Sequence, residues 1–282
     1  RVSKGWFKVV AAEMLNKDKY DDDEDAWYYA DGSGKLYAGE FKTIKGKKYA
    51  FRNDGRMLSG LKFIKEGTDD FAGDNYNFDT EDDFLKNAAG YYAENDYNCY
   101  YFGNGEDGAM KTNKTSITID GDNFNFYFEK SGGKKGAGVT GEKDNKLYQS
   151  GMLLKADSDD KYTVVDKETH IKDDGTKYET YTKLDDAKAF MDSVKDNGGK
   201  VNDELAGKEG STKVTVGSNT TKKAEDLAEA YSVELKDVKN HEYILVNTSG
   251  KVIDNKGKNK DGSDYYYVTD SNGKITNIYV ED

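Results

Sequence analysis

The sequence predicts a mainly β protein, built as an elongated, β-solenoid-like array of β-hairpin repeats with small helical inserts. Short aromatic runs recur beside turns rich in Gly, Asn and Asp, which accept the positive φ of tight hairpins. The runs that begin at Trp27 and Lys48 are 21 residues apart, and those that begin at Glu242 and Asp264 are 22 residues apart. The chain has 22 Tyr and no Pro. We therefore expect stacked hairpins that contact mainly their neighbours, with thin aromatic layers between them.

The first repeats lie in residues 1–64, where two hairpins are predicted in succession. In one, the strand 27–30 leads through a turn at 32–35 to a return strand at 36–39. In the other, the strand 48–51 leads through a turn at 53–56 to a return strand at 57–60. Aromatic runs beside Gly-containing turns are the signal for both hairpins.

The rest of the chain divides by pattern into four further segments: a helix-containing insertion at 65–98, middle hairpin repeats at 99–169, an α/β insert at 170–240 and C-terminal hairpin repeats at 241–282. In the first insertion, Thr80 followed by Glu81, Asp82 and Asp83 is a capping-box pattern. It predicts a helix of about two turns that ends at Gly90.

The α/β insert is predicted to hold two helices and a strand. Apolar residues recur at helical spacing from Leu184 to Val194, which predicts the first helix. A second helix is predicted from Ala224 to Tyr231, with Thr220 and Thr221 as its caps. The strand-like run 213–216 lies between them. We expect this insert to pack on the hairpin array.

Each aromatic strand is expected to present two different faces, because strand side chains alternate. We call these strands the inner strands and number their residues one to four from Trp27, Lys48, Cys99, Asn125, Glu242 and Asp264. Positions two and four are apolar or aromatic in every inner strand, which predicts a stacking core. Positions one and three are mixed and include charged residues.

Gly5-Trp6-Phe7-Lys8 and Trp27-Tyr28-Tyr29 resemble the choline-binding, or cell-wall-binding, repeats of Gram-positive surface proteins. The resemblance implies a non-catalytic cell-wall or glycan attachment module of a secreted protein at the cell wall or cell surface. Its partner would be a cell-wall polymer, either a choline-bearing teichoic acid or a glycan. Related repeats occur in glucan-binding domains and clostridial toxin tails, so the ligand stays open.

In this family, aromatic side chains of adjacent repeats surround a quaternary ammonium, which has no N–H to donate and is held by aromatic faces. The resemblance assigns Trp6, Trp27 and Tyr29 to such a cage. Other side chains stand where later units should carry cage aromatics, namely Glu40, Lys48, Ala50 and Leu61. The sequence thus predicts largely degenerate choline-type sites, with at most one cage, near Trp27.

Composition argues against several other functions. The net charge of −12 disfavours nucleic acid and anionic membranes, which select basic surfaces. No apolar run reaches the roughly 20 residues of a membrane span. No catalytic motif or metal-ligand spacing surrounds His170, His241 or Cys99, so we expect no enzyme, cofactor or metal. The acidic clusters lack the order of a calcium loop and are expected to be solvated.

A second function class stays open from the sequence. The charged positions of the inner strands and the insert at 170–240 also fit a structural or adhesive surface array that mediates protein–protein contacts without a small ligand. The chain begins at Arg1 without a signal peptide, so we expect a trimmed, mature fragment. The oligomeric state is left open. Binding of choline or of purified cell wall separates the two classes.

Overall fold

The structure is a computed structural model and describes residues 4–10, 25–67, 78–93, 97–202, 213–216, 220–223, 232–262 and 265–280. These residues form 21 strands and two helices, so the mainly β prediction is confirmed. The chain divides into two compact units. The first comprises residues 1–139 and 150–152, and the second comprises residues 140–149 and 153–282.

The first unit holds eight complete strands in short antiparallel pairs and one helix. The elements are β1 Gly5–Val10, β2 Asp25–Ala30, β3 Glu40–Ile44, β4 Lys47–Phe51, β5 Leu61–Ile64, α1 Glu81–Ala93, β6 Asn98–Tyr101, β7 Asn113–Ile119 and β8 Asp122–Phe128. The pairs are β1 with β2, β3 with β4, β5 with β6, and β7 with β8.

The pairing of the inner strands differs from the sequence prediction. The predicted turns exist, since Asp31 N donates to Lys35 O at 2.8 Å and Arg52 N donates to Arg56 O at 2.8 Å. However, each return segment forms only a single bridge. The full ladder of hydrogen bonds instead joins β2 to β1 and β4 to β3. Between β3 and β4 the chain makes a two-residue turn at 45–46, with φ of 49° and 81°, which matches the twist of a tight hairpin.

Helix α1 is longer than predicted and continues through Gly90 to Ala93. Its start is as predicted, because Thr80 Oγ1 accepts a hydrogen bond from Asp83 N at 3.1 Å. Phe84 and Ala88 on its inner face are fully buried in a cluster that also holds Phe63 and Cys99. This packing offsets the low helix propensity of Gly90.

Successive hairpins of the first unit also share backbone hydrogen bonds. Met57 N donates to the carbonyl of Trp27 at 2.8 Å, and Met110 N donates to the carbonyl of Lys48 at 2.8 Å. Both acceptors occupy position one of an inner strand. The segment after each turn is therefore hydrogen-bonded to the inner strand of the preceding hairpin.

A repeated contact of turn glycines accompanies these bonds, and we call it the glycine ladder. Gly108 (φ 58°) and Gly136 (φ 87°) both have left-handed backbone, which glycine adopts without strain. A Cβ on Gly108 would overlap Met57, and one on Gly136 would overlap Met110. Each methionine lies two residues after the turn glycine of the preceding hairpin, so the ladder stacks hairpins in chain order.

The second unit holds most of the remaining strands and one helix. The elements are β9 Gly141–Lys143, β10 Lys146–Gln149, β11 Met152–Leu153, β12 Tyr162–Ile171, β13 Lys177–Leu184, α2 Ala187–Asp196, β14 Lys200–Asn202, β15 Lys213–Val216, β16 Thr220–Lys223, β17 Ser232–Glu234, β18 His241–Asn247, β19 Gly257–Lys260, β20 Tyr265–Thr269 and β21 Ile275–Val280. Met152 of β11 belongs to the first unit.

The second unit contains two three-stranded sheets, with strand orders β13-β12-β18 and β19-β20-β21. Three other antiparallel pairs accompany them, β9 with β10, β14 with β17 and β15 with β16. The glycine ladder recurs here, because a Cβ on Gly250 would lie 2.7 Å from Leu153 and one on Gly273 would lie 2.5 Å from Val252. The predicted C-terminal repeats thus share the stacking contact of the first unit.

Helix α2 confirms the first helix predicted in the insert. Asp186 caps it by accepting a hydrogen bond from Ala189 N at 2.7 Å, and Phe190 and Val194 are fully buried against Tyr243. The predicted strand 213–216 is β15. The predicted second helix, 224–231, lies outside the described residues. The assignment of 220–221 as its caps is wrong, because these residues form β16 and pair with β15.

The predicted stacking face of the inner strands is confirmed. Ten of the twelve side chains at positions two and four are at most 8% exposed, Tyr49 is 9% exposed, and Tyr265 is half-buried. The opposite face is less open than its mixed character suggests, because later elements cover part of it. Ala50 packs against Tyr100 and Phe102, and helix α1 covers Cys99.

Candidate functional site

The two tryptophans of the chain lie together in the first unit. Trp6 on β1 pairs with Tyr29 on β2, and Trp27 stands two residues earlier on β2. Their ring centroids are 6.4 Å apart with the planes at 86°. Since alternate strand residues share a face, the β1–β2 pair holds both indoles on one side.

These indoles line a surface pocket of about 250 Å³, which we call the aromatic pocket. Its lining consists of Trp6, Trp27, Tyr49, Met57, Glu106 and Asp107. The Tyr49 ring meets Trp6 edge-on at a centroid distance of 4.8 Å. Three aromatic rings, one thioether and two carboxylates therefore surround one small volume.

Tyr29 is beside this pocket and not in its lining. Its ring contacts Trp6 at 5.1 Å and stacks on Tyr37 at 5.3 Å with an interplanar angle of 11°. Tyr29 thus supports the Trp6 ring from behind. Tyr49 takes the third aromatic place, which sequence reasoning missed because position two was assigned to the core.

The carboxylates come from the loop that follows β6. Glu106 accepts hydrogen bonds from Trp27 Nε1 at 3.0 Å and from Lys8 Nζ at 2.8 Å. The bond from Lys8, and then that from Trp27, lowers the pKa of Glu106 below its ordinary value. Glu106 therefore stays ionised at neutral pH and fixes the Trp27 indole. Asp107 forms an ion pair with Lys111, and the hydrogen bond from the Lys111 ammonium lowers the pKa of Asp107.

In the second hairpin, β3–β4, the place that corresponds to the aromatic pocket is occupied by a lysine of the protein itself. Glu40 pairs with Phe51 as Gly5 pairs with Ala30, so Phe41, and not Glu40, corresponds to Trp6. The Lys48 ammonium lies 4.2 Å from the centre of the Phe41 ring. The expectation that Glu40 replaces the cage tryptophan is therefore wrong by one residue, although Lys48 does stand in the place of Trp27.

The β5–β6 pair carries different side chains at the equivalent positions. Leu61 pairs with Tyr101 as Trp6 pairs with Tyr29, and Cys99 occupies position one. Cys99 is 1% exposed, and burial raises the pKa of its thiol well above the ordinary value. Neither an aromatic cage nor a reactive thiolate forms there.

The two histidines lie in the second unit and make ordinary structural contacts. His241 Nδ1 is 2.9 Å from Asp166 Oδ1, and His170 Nε2 is 2.8 Å from Thr180 Oγ1. Ser193 Oγ donates to Asp166 at 3.3 Å and not to a histidine, unlike the nucleophile–base order of a catalytic triad. Within the described ranges, no group of three or more His, Cys, Asp or Glu forms a metal site.

Among the described residues, no helix is long and apolar enough to cross a membrane. No protein-family model matches the chain, and no curated protein matches it.

Several solved structures are similar to the chain at low identity. One is CbpJ from Streptococcus pneumoniae TIGR4, with 15% identity, a TM-score of 0.29, and coverage of 96% of this chain and 87% of that one. Another is the multimodular pneumococcal cell wall endolysin from phage Cp-1 complexed with choline, with 17% identity, a TM-score of 0.20, and coverage of 47% and 29%. A third is the modular autolysin LytC from Streptococcus pneumoniae with a synthetic peptidoglycan ligand, with 15% identity, a TM-score of 0.17, and coverage of 55% and 31%. Likeness at these values does not by itself assign a ligand.

Proposed function

We propose that the chain is a non-catalytic attachment module for a cell-wall polymer, and that the aromatic pocket is its site for a quaternary ammonium such as choline. The observation that carries the proposal is the arrangement of Trp6, Trp27 and Tyr49 around one pocket whose lining also includes the carboxylates of Glu106 and Asp107. A cation of this kind is held by aromatic faces and by nearby negative charge. The module acts at the wall or surface of the cell that secretes it.

The same geometry predicts a single weak site. Lys48 occupies the aromatic face of the second hairpin, and a lysine repels a cationic ligand. In the aromatic pocket, Lys8 lies 6.0 Å from the Trp27 ring, and its charge offsets part of that of Glu106. With about 0.5–2 kcal/mol per aromatic face, we expect a dissociation constant of about 1 mM or weaker.

Calorimetric titration with choline measures this affinity and the number of sites. Trp27→Ala should abolish binding, because it removes one wall of the pocket and the bond to Glu106. Tyr101→Ala is the matched control, because Tyr101 is a half-buried inner-strand aromatic outside the pocket lining, and it should leave the affinity unchanged. A micromolar constant, or more than one site, would contradict the proposal.

The alternative function, a surface array that binds proteins and no small ligand, predicts a different outcome. Choline would then produce no heat, and purified choline-bearing wall would not retain the protein. The attachment function would be favoured if such wall retains the protein, if soluble choline releases it, and if the Trp27→Ala variant is not retained.

A further inference from the structure

A second pocket lies beside the aromatic pocket and has the opposite character. It measures about 360 Å³, and its charged lining includes Lys8, Arg52, Arg56 and Lys62. We call it the basic pocket. Two carboxylates also line it, so cations outnumber anions four to two in a chain whose net charge is −12.

Most of these cations do have carboxylate partners. Lys8 is bound by Glu106. Arg52 and Arg56 share Asp54, with N–O distances of 3.3 Å and 3.2 Å. Among the carboxylates that line the basic pocket, Asp25 is exposed and acts at longer range on Lys8. These pairs leave Lys62 to be accounted for.

Lys62 lies on β5 and has no carboxylate partner within the described part of the chain. It is half-buried, and burial together with the positive charge of Arg52 lowers the pKa of its ammonium. A cation held near another cation, with part of its hydration removed, is stabilised by any anion that enters the pocket. The geometry therefore favours an anionic ligand group beside Lys62.

The two pockets share a wall made of Trp27, Met57 and Glu106. A ligand group in one is therefore next to a group in the other. A molecule that carries an ammonium and an anion a few bonds apart can occupy both pockets at once. Choline joined to a phosphodiester has this charge arrangement.

We propose that the basic pocket is an anion subsite that binds the phosphate of a choline phosphodiester, while the quaternary ammonium occupies the aromatic pocket. This inference rests on the proposed function and adds a second recognition element to it. The phosphate contacts the Lys62 ammonium, and the guanidinium groups of Arg52 and Arg56, which also line the pocket, contribute positive potential. The module thus distinguishes the polymer-linked group from free choline.

Calorimetry with choline and with glycerophosphocholine tests the subsite, because the diester keeps one negative charge at any pH near neutrality. Glycerophosphocholine should bind about tenfold tighter than choline, an increment typical of one charge-assisted hydrogen bond. In Lys62→Met, which keeps the length and packing of the side chain, the ratio of the two constants should fall to about one. Lys114→Met removes an exposed lysine outside both pockets and should leave the ratio unchanged.

Equal affinities for choline and glycerophosphocholine would overturn the anion subsite and leave the proposed function standing, whereas binding of neither would overturn both. An unchanged ratio in Lys62→Met would also overturn it. Sedimentation with choline-bearing wall polymer and with phosphatidylcholine vesicles then separates two sources of the group. Retention by the polymer is expected, and retention by the vesicles alone would support the subsite but assign it to a lipid headgroup.

Discussion

Phe51→Ala should destabilise the first unit by about 3–5 kcal/mol, the usual cost of removing a fully buried ring. Phe51 is 0% exposed, and its ring lies 5.9 Å from Trp6 and 5.9 Å from Tyr37. It occupies position four of its inner strand and is part of the aromatic layer behind the pocket. Denaturant unfolding followed by tryptophan fluorescence measures the loss, because both tryptophans lie in this unit.

The control for this prediction is on the opposite face of the same strand. Lys48→Ala removes a half-buried side chain whose ammonium contacts the Phe41 ring, so its cost should be about 0.5–1 kcal/mol. On β8, Phe128→Ala and Asn125→Ala should repeat the contrast, since Phe128 is 0% exposed and Asn125 is exposed. Losses of equal size at Phe51 and Lys48 would mean that the two faces are assigned wrongly.

Gly138→Ala should destabilise the first unit by about 3 kcal/mol, near the upper end of the usual overpacking range. A Cβ there would lie 2.5 Å from the carbonyl carbon of Ser150 and 2.7 Å from Gly151 N. These are backbone atoms and have no rotamer that relieves the overlap. Gly138 cannot retreat, because its N–H donates to the carbonyl of Cys99 at 2.7 Å.

Gly133→Ala is the matched control, because a Cβ at Gly133 would meet no atom within 4 Å and its φ lies outside the left-handed region. Its stability should be unchanged or slightly raised, since alanine lowers the entropy of the unfolded chain. Gly136→Ala should fall between the two, because it has left-handed φ but meets only the flexible Met110 side chain. The same denaturant melts rank the three variants, and equal stability of Gly138→Ala and Gly133→Ala would show that hairpins do not pack at this step.

Much of the fold could be predicted because the aromatic strands carry two local signals, period-two burial and Gly-containing turns. The partner of each strand could not be predicted from the same signals. The strand that begins at Trp27 lies between another strand and a turn, and either could supply its partner. Only the two residues with left-handed backbone at 45–46, in the next hairpin, indicate that the partner is the preceding strand. The glycine ladder has a visible signature, a turn glycine followed two residues later by Met57, Met110 or Leu153, but this signature is separate from the spacing of the aromatic runs.

The candidate site could be predicted in part. Trp6 and Trp27 were indicated by the resemblance to choline-binding repeats, and they lie on the paired strands β1 and β2. Tyr49 and Glu106 come from later segments of the first unit, and their approach to the tryptophans depends on how the strand pairs stack, which local patterns do not specify. The lysine that fills the second cage illustrates the same limit, since Lys48 was identified as a replacement but its position over Phe41 needs three dimensions.

The central claim, that the aromatic pocket recognises a quaternary ammonium through its charge, is tested most directly by the two indole N–H signals in a proton–nitrogen correlation spectrum. Trp27→Phe assigns them by removing one. Titration with choline should shift both signals along one saturable curve, with the larger change at Trp27, whose indole donates to Glu106. The neutral isostere 3,3-dimethylbutan-1-ol should require about tenfold higher concentration, because it lacks the cation–π attraction. Equal titration curves for the two molecules, or choline binding that leaves both indoles unshifted, would contradict the claim.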